Sequence, residues 1–175
     1  MVFKMDLRRW FGLIGVAVFV VFTLIAISVY PNYGFFSQFL SELGEMGKES
    51  ALWFNWGVVL SGLCFAVFFA DFWARDRVFA ACAVMASLGL LAVGIFPLPM
   101  QPHHTFAAVL FFLSAALAAA WFGKMHAKAD ARVAIVALLV ALVTVLHVFV
   151  LLPLTQKIAV FLLLAGVLWV SFVEK

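Results

Sequence analysis

Three histidines and a glutamate stand out in this chain as groups able to bind a metal or move a proton: His103, His104, His147 and Glu42. Imidazole and carboxylate are donors that zinc takes, and a zinc site needs three or four of them. Glu42, His147 and one or both of the adjacent histidines would supply such a set from three separate segments. The set Glu42, His104 and His147 is the candidate metal site. No HExxH or similar spacing supports it, so the case depends on whether the fold brings these residues together. Neighbours on a helix point about 100° apart, so only one of His103 and His104 can share a site with His147. The same histidines could oppose each other as axial ligands of a haem, although such cytochromes usually carry more histidines at matched depths. Ser37 or Ser41 beside a histidine and Glu42 would make a nucleophile and base, but neither serine sits in a G-x-S-x-G context. His126 falls in a charged stretch and reads as solvated.

The elements that must position these groups follow from composition. Apolar residues make up 68% of the chain and charged residues 11%, against roughly half and a quarter in a soluble domain. So few charges cannot cover so much apolar surface, and the solvent for most of the chain is lipid. Cys64 and Cys82 lie inside apolar runs and read as small core residues rather than a disulfide framework. A helix needs about 20 apolar residues to cross a hydrocarbon core of roughly 30 Å. Six segments qualify or nearly do: 10–30, 51–74, 78–98, 105–123, 133–152 and 158–173. The last is the shortest. The first exceeds the ~7–15 residues of a signal-peptide core and has no A-x-A ending, so it reads as an uncleaved helix. The runs are continuously apolar rather than alternating, which excludes a barrel.

Lysine and arginine placement gives an orientation. With the N-terminus inside, Lys4, Arg8, Arg9, Arg75, Arg77, Lys124, Lys128, Arg132 and Lys175 are cytoplasmic, leaving two of the eleven, Lys48 and Lys157, outside. This is the asymmetry of the positive-inside rule, and it puts both termini in the cytoplasm of a plasma-membrane protein. The net charge of +3 therefore reports topology and not a nucleic-acid partner. Short connections make consecutive helices antiparallel neighbours in a compact bundle.

On this topology Glu42, Asn55, His103, His104 and His147 approach one depth at the outer face, with Gln101, Gln156 and Lys157 at its rim. An ionisable residue below the membrane surface is expensive to keep, which makes His147 a candidate for function. Neutral imidazole satisfied by Thr144 or a backbone carbonyl is the structural alternative. Transport finds no support, because the span centres lack ionisable groups and Asp71 has Arg75 four residues on as a ready partner. Within 31–50, Phe35, Phe36, Phe39, Leu40, Leu43 and Met46 recur at helical spacing with polar residues between them. That pattern predicts an amphipathic helix lying in the interface, as an anchor, a cap or a lid. Small residues form stripes: Gly12 and Gly15; Gly57, Ser61 and Gly62; Ala80, Ala81, Ala83, Ala86 and Gly89; Ser114, Ala115, Ala118 and Ala119. Such stripes read as helix-packing seams, within the chain or between copies in a homo-oligomer.

Phe39, Leu40, Ser41, Glu42, Leu43 and Gly44 after the first span, Phe54 and Asn55 opening the second, and Gly94, Ile95, Phe96 and Pro97 ahead of His103 and His104 resemble the family known as domain of unknown function 998. These are small multi-pass membrane proteins, frequent in archaea. The resemblance runs over roughly residues 10–160 and carries no activity with it. It implies that Ser41, Glu42, Gly44, Asn55, Pro97 and His103 or His104 are the positions to inspect. The expectation is an all-α bundle of six transmembrane helices that binds a lipid or a partner protein through a polar pocket at the outer face. The alternative is a metal-dependent hydrolase or transferase acting on a lipid, with Glu42 or His104 as base or ligand and His147 as a second ligand.

Overall fold

The computed structural model describes residues 7–173. They form six long helices: α1 (Leu7–Val29), α2 (Ser50–Ala70), α3 (Arg77–Ile95), α4 (His103–His126), α5 (Ala131–Val150) and α6 (Pro153–Val173). Six spans are long and apolar enough to cross a membrane, and the described residues contain no strand. In hydrocarbon a chain must satisfy its backbone polar groups internally, and these uninterrupted runs of Val, Leu, Phe and Ala do so as helices.

Each helix packs against the next in sequence, and α6 packs back against α1, so the bundle is a ring in chain order. Gly12 near the start of α1 lies against Ser171 near the end of α6. Both ends of the described chain therefore share one face, here the terminal face, with the α2–α3 and α4–α5 connections. The opposite face carries the segment between α1 and α2 and is the loop face. The closest approaches occur at glycines, as expected where packing rather than hydrophobicity holds helices together in lipid. Gly62 lies against the backbone of Ser87 and Leu91, and Gly89 against the backbone of Leu110 and Phe111. α6 packs less extensively on its two neighbours than the other consecutive pairs do.

Two aspartates start helices on the terminal face. Asp76 accepts from the Phe79 N–H at 2.8 Å, and Asp130 accepts from the Arg132 N–H at 2.8 Å. Asp76 also accepts from Trp121 Nε1 at 3.0 Å, tying α3 to α4. The Phe79 amide bond holds the Asp76 carboxyl below its ordinary range, and the Trp121 bond adds to the effect. A carboxyl lowered on folding stabilises above its unfolded pKa, near 4, and loses that contribution as pH falls through the folded value. Asp76→Ala is expected to cost about 1 kcal/mol, read as a lower thermal midpoint at pH 7, with a smaller difference from wild type in acid. An equal deficit at both pH values would argue against the capping carboxylate.

Two segments differ from the sequence expectation. The interfacial helix expected over 31–50 is one short 3₁₀ turn, Leu40–Gly44. The spacing suits a helix lying flat, whereas this segment folds down into the ring. Leu40 and Leu43 are buried while Phe36 and Met46 stay exposed. Side chains also take the amides a longer helix would use: Gln38 Oε1 accepts from the Gly34 N–H and Glu42 Oε1 from the Phe39 N–H, both at 2.7 Å. The sixth helix is not short, since it starts at Pro153 and runs 21 residues. Proline suits a first helical turn because its fixed φ fits and its missing N–H has no partner to lose. Gln156 and Lys157 thereby move from the rim into the helix.

Candidate functional site

The segment between α1 and α2 closes the loop-face end of the ring, and α6 holds it there. Lys157 is 1% exposed. Its ammonium donates to the Gln38 carbonyl and, at 3.5 Å, to the Pro153 carbonyl. It also lies 5.1 Å from the centre of the Phe35 ring and 5.6 Å from that of Tyr33. One residue earlier, Gln156 Oε1 accepts from the Leu40 N–H at 2.6 Å. The Gln38 amide donates to the Tyr30 hydroxyl at 3.0 Å and to Glu42 Oε2 at 3.3 Å. From α2, Ser50 donates to the Leu43 carbonyl at 2.7 Å and Asn55 to the Gly44 carbonyl at 3.0 Å. Burial pushes the Tyr33 phenol up to about 12, and the Glu42 carboxylate adds to the rise. Tyr33 is thus a permanent donor, directed at the Phe39 carbonyl at 3.4 Å. These bonds make the segment a fixed plug.

The histidines part company. His104 is buried, and its Nδ1 lies 2.8 Å from the Phe96 carbonyl oxygen. A carbonyl only accepts, so that nitrogen carries the proton and Nε2 is the ring's acceptor. His103 is exposed and stacks on Phe96, with centroids 5.4 Å apart. His147 is 3% exposed, 4.6 Å centre to centre from Phe112, and its Nδ1 lies 3.1 Å from Thr155 Oγ1. That hydroxyl already donates to the Leu152 carbonyl at 2.8 Å, so His147 is the donor between them. Thr144, a sequence candidate for this role, bonds the Val140 carbonyl instead.

Glu42, His104 and His147 do not converge. Among the described residues no three His, Cys, Asp or Glu side chains are placed to hold a metal ion. The Nδ1 atoms of His147 and His104 are tied to the α5–α6 turn and to the α3–α4 connection respectively. Glu42 and Asn55 hold the plug. Of the candidates, Ser41 and His104 come to a common space, a void of about 40 Å³ that Gln156 also lines.

Beneath that void lies a chamber of about 560 Å³, walled chiefly by α3, α4, α5 and α6. Its lining is almost wholly apolar, with Asp130 and Arg132 at the terminal-face end. Along α6 it extends from Val160 to Val170, a rise of about 15 Å at ~1.5 Å per residue. Ala83, Ala86, Ala115, Ala118 and Ala119 line it, and Gly166 faces it with nothing within 4 Å of where a Cβ would stand. Part of the small-residue stripes therefore borders empty space instead of a helix seam. Phe19, Leu90, Phe111 and Val160 line both spaces and form the wall between them.

The spans, the ring and the capped loop face give a small multi-pass membrane bundle. A family model described as protein of unknown function (DUF998) matches residues 13–173. The chain belongs to this family. The match covers most of α1 and all of α2 through α6, and thus both the chamber and the plug. A search of curated proteins finds no match, and neither does a search of solved structures. The DUF998 chain is an integral membrane protein.

Proposed function

We propose that this protein binds a membrane lipid by taking one hydrocarbon chain into its interior. The apolar chamber carries the reading. Its volume lies within the ~300–1,000 Å³ usual for ligand pockets. Its height is about half of a ~30 Å hydrocarbon core, the depth one leaflet's chains occupy. A void with these walls does not attract water, because apolar cavities stay dry. Left empty, its buried walls forfeit dispersion contacts. The molecules present at that depth are lipid chains, and the looser packing of α6 supplies a side from which one can enter. The lysine and arginine asymmetry supports placing the terminal face in the cytoplasm of a plasma-membrane protein.

Gly166→Trp tests the reading, because Gly166 lines the chamber and a Cβ there meets nothing within 4 Å, so the added ring takes up cavity space. Wild-type protein extracted in mild detergent is expected to retain about one lipid per chain by native mass spectrometry. The variant should lose it at an unchanged or higher thermal midpoint. Equal lipid content in the two proteins would remove the proposal.

A further inference from the structure

Resting on that reading, we infer that the bound lipid is a long-chain alcohol whose hydroxyl sits in the void between Ser41, His104 and Gln156. The void and the chamber lie in series, sharing Phe19, Leu90, Phe111 and Val160, so a chain in the lower space ends at the wall of the upper one. The void holds about 40 Å³. A water needs roughly 10–15 Å³ on this scale, so there is room for a hydroxyl and not for a phosphate or a sugar.

The chemistry of the walls narrows the class. No Asp, Glu, Lys or Arg lines the void. Lys157 adjoins Gln156 in sequence, but its ammonium is turned to the Gln38 and Pro153 carbonyls. A charged headgroup would sit there unpaired in a low dielectric, at a cost of several kcal/mol. The polar groups present are of both kinds. His104 has spent its Nδ1 proton on the Phe96 carbonyl, which leaves Nε2 as an acceptor. Gln156 has spent its oxygen on the Leu40 N–H, which leaves its amide hydrogens as donors. Ser41 can do either. A hydroxyl donates and accepts at once and can use both kinds of group, whereas a carbonyl oxygen or an ether can use only the donors.

The test compares retention of radiolabelled dodecanol and dodecane by the purified full chain in detergent. His104→Asn keeps an amide donor for the Phe96 carbonyl while removing Nε2, and Ser41→Ala removes only the hydroxyl. Wild type is expected to favour the alcohol about three- to tenfold, the worth of roughly one net hydrogen bond. Both variants should bring that ratio toward one with dodecane retention unchanged. Dodecane retained without preference for the alcohol overturns the inference and leaves the chamber reading standing. So does a preference that survives both variants, or one abolished by Arg132→Ala, which would place the head at the terminal face. Failure of wild type to retain dodecane at all removes the chamber reading itself.

Discussion

Gly89→Ala is expected to lower the thermal midpoint sharply while Gly166→Ala raises it, although both exchange a glycine for an alanine in mid-helix. At Gly89 an added Cβ would lie 2.6 Å from Phe111 N and 2.8 Å from Phe111 Cα. Both are backbone atoms, so no side chain can rotate away and α3 must separate from α4 along their contact. Overpacking of this kind typically costs about 1–3 kcal/mol, and the rigid neighbour puts Gly89 at the upper end. Leucine there should prevent folding. At Gly166 a Cβ meets nothing within 4 Å. The substitution then only removes the conformational freedom of a helical glycine, a gain of about 0.5–1 kcal/mol. Thermal unfolding of the two variants in one detergent decides the matter. Shifts of the same sign would mean that the helix seam and the chamber are not where the structure places them.

The second large effect concerns the plug. In the double variant Lys157→Met and Gln156→Leu, the two ties from α6 to the Gln38 carbonyl and the Leu40 N–H are gone. The individual terms pull in opposite directions. Replacing a buried ammonium by a side chain of similar volume relieves its desolvation and can be neutral overall. The orphaned carbonyl and amide, however, are left with about 1–3 kcal/mol each unless they reach water. They reach it by opening the plug. The global midpoint should therefore move little, while amide hydrogen exchange across Phe39–Gly44 accelerates about thirty- to hundredfold, as a local opening loses roughly 2–3 kcal/mol. Unchanged exchange would show that Ser50 and Asn55 alone keep the plug seated.

The spans were legible because lipid leaves little choice: runs of twenty apolar residues between Arg75–Arg77, Pro153 and similar breaks have one stable backbone form. The plug was harder to read. Phe35, Phe36, Leu40 and Leu43 would space alike on a flat interfacial helix or a folded-in turn, and the difference lies in what Gln156 and Lys157 supply from more than a hundred residues away. Lys157 itself was hidden because a hydropathy window treats any lysine as a boundary, although Pro153 four residues earlier marks where the helix begins. The alanines of α3 and α4 announced small size but could not say whether a helix or a void lies opposite. The histidines were placed at a common face. Their divergence is set by the Phe96 carbonyl and Thr155, partners that exist only once the connections have folded.

The closure of the ring by α6 also sets an order of construction. The plug segment leaves the ribosome early, with Gln38 preceding its lysine partner by 119 residues. Before α6 is made, the ring is a five-helix crescent with an open interior, and the Gln38 carbonyl and Leu40 amide have no counterparts on α6. Insertion of α6 supplies both at once and adds the remaining wall of the chamber in the same step. A nascent chain stalled before α6 would expose the inner faces of α3, α4 and α5 to the bilayer, the state in which membrane quality-control proteases and chaperones would meet it. α6 thus serves as keystone and inspection point together.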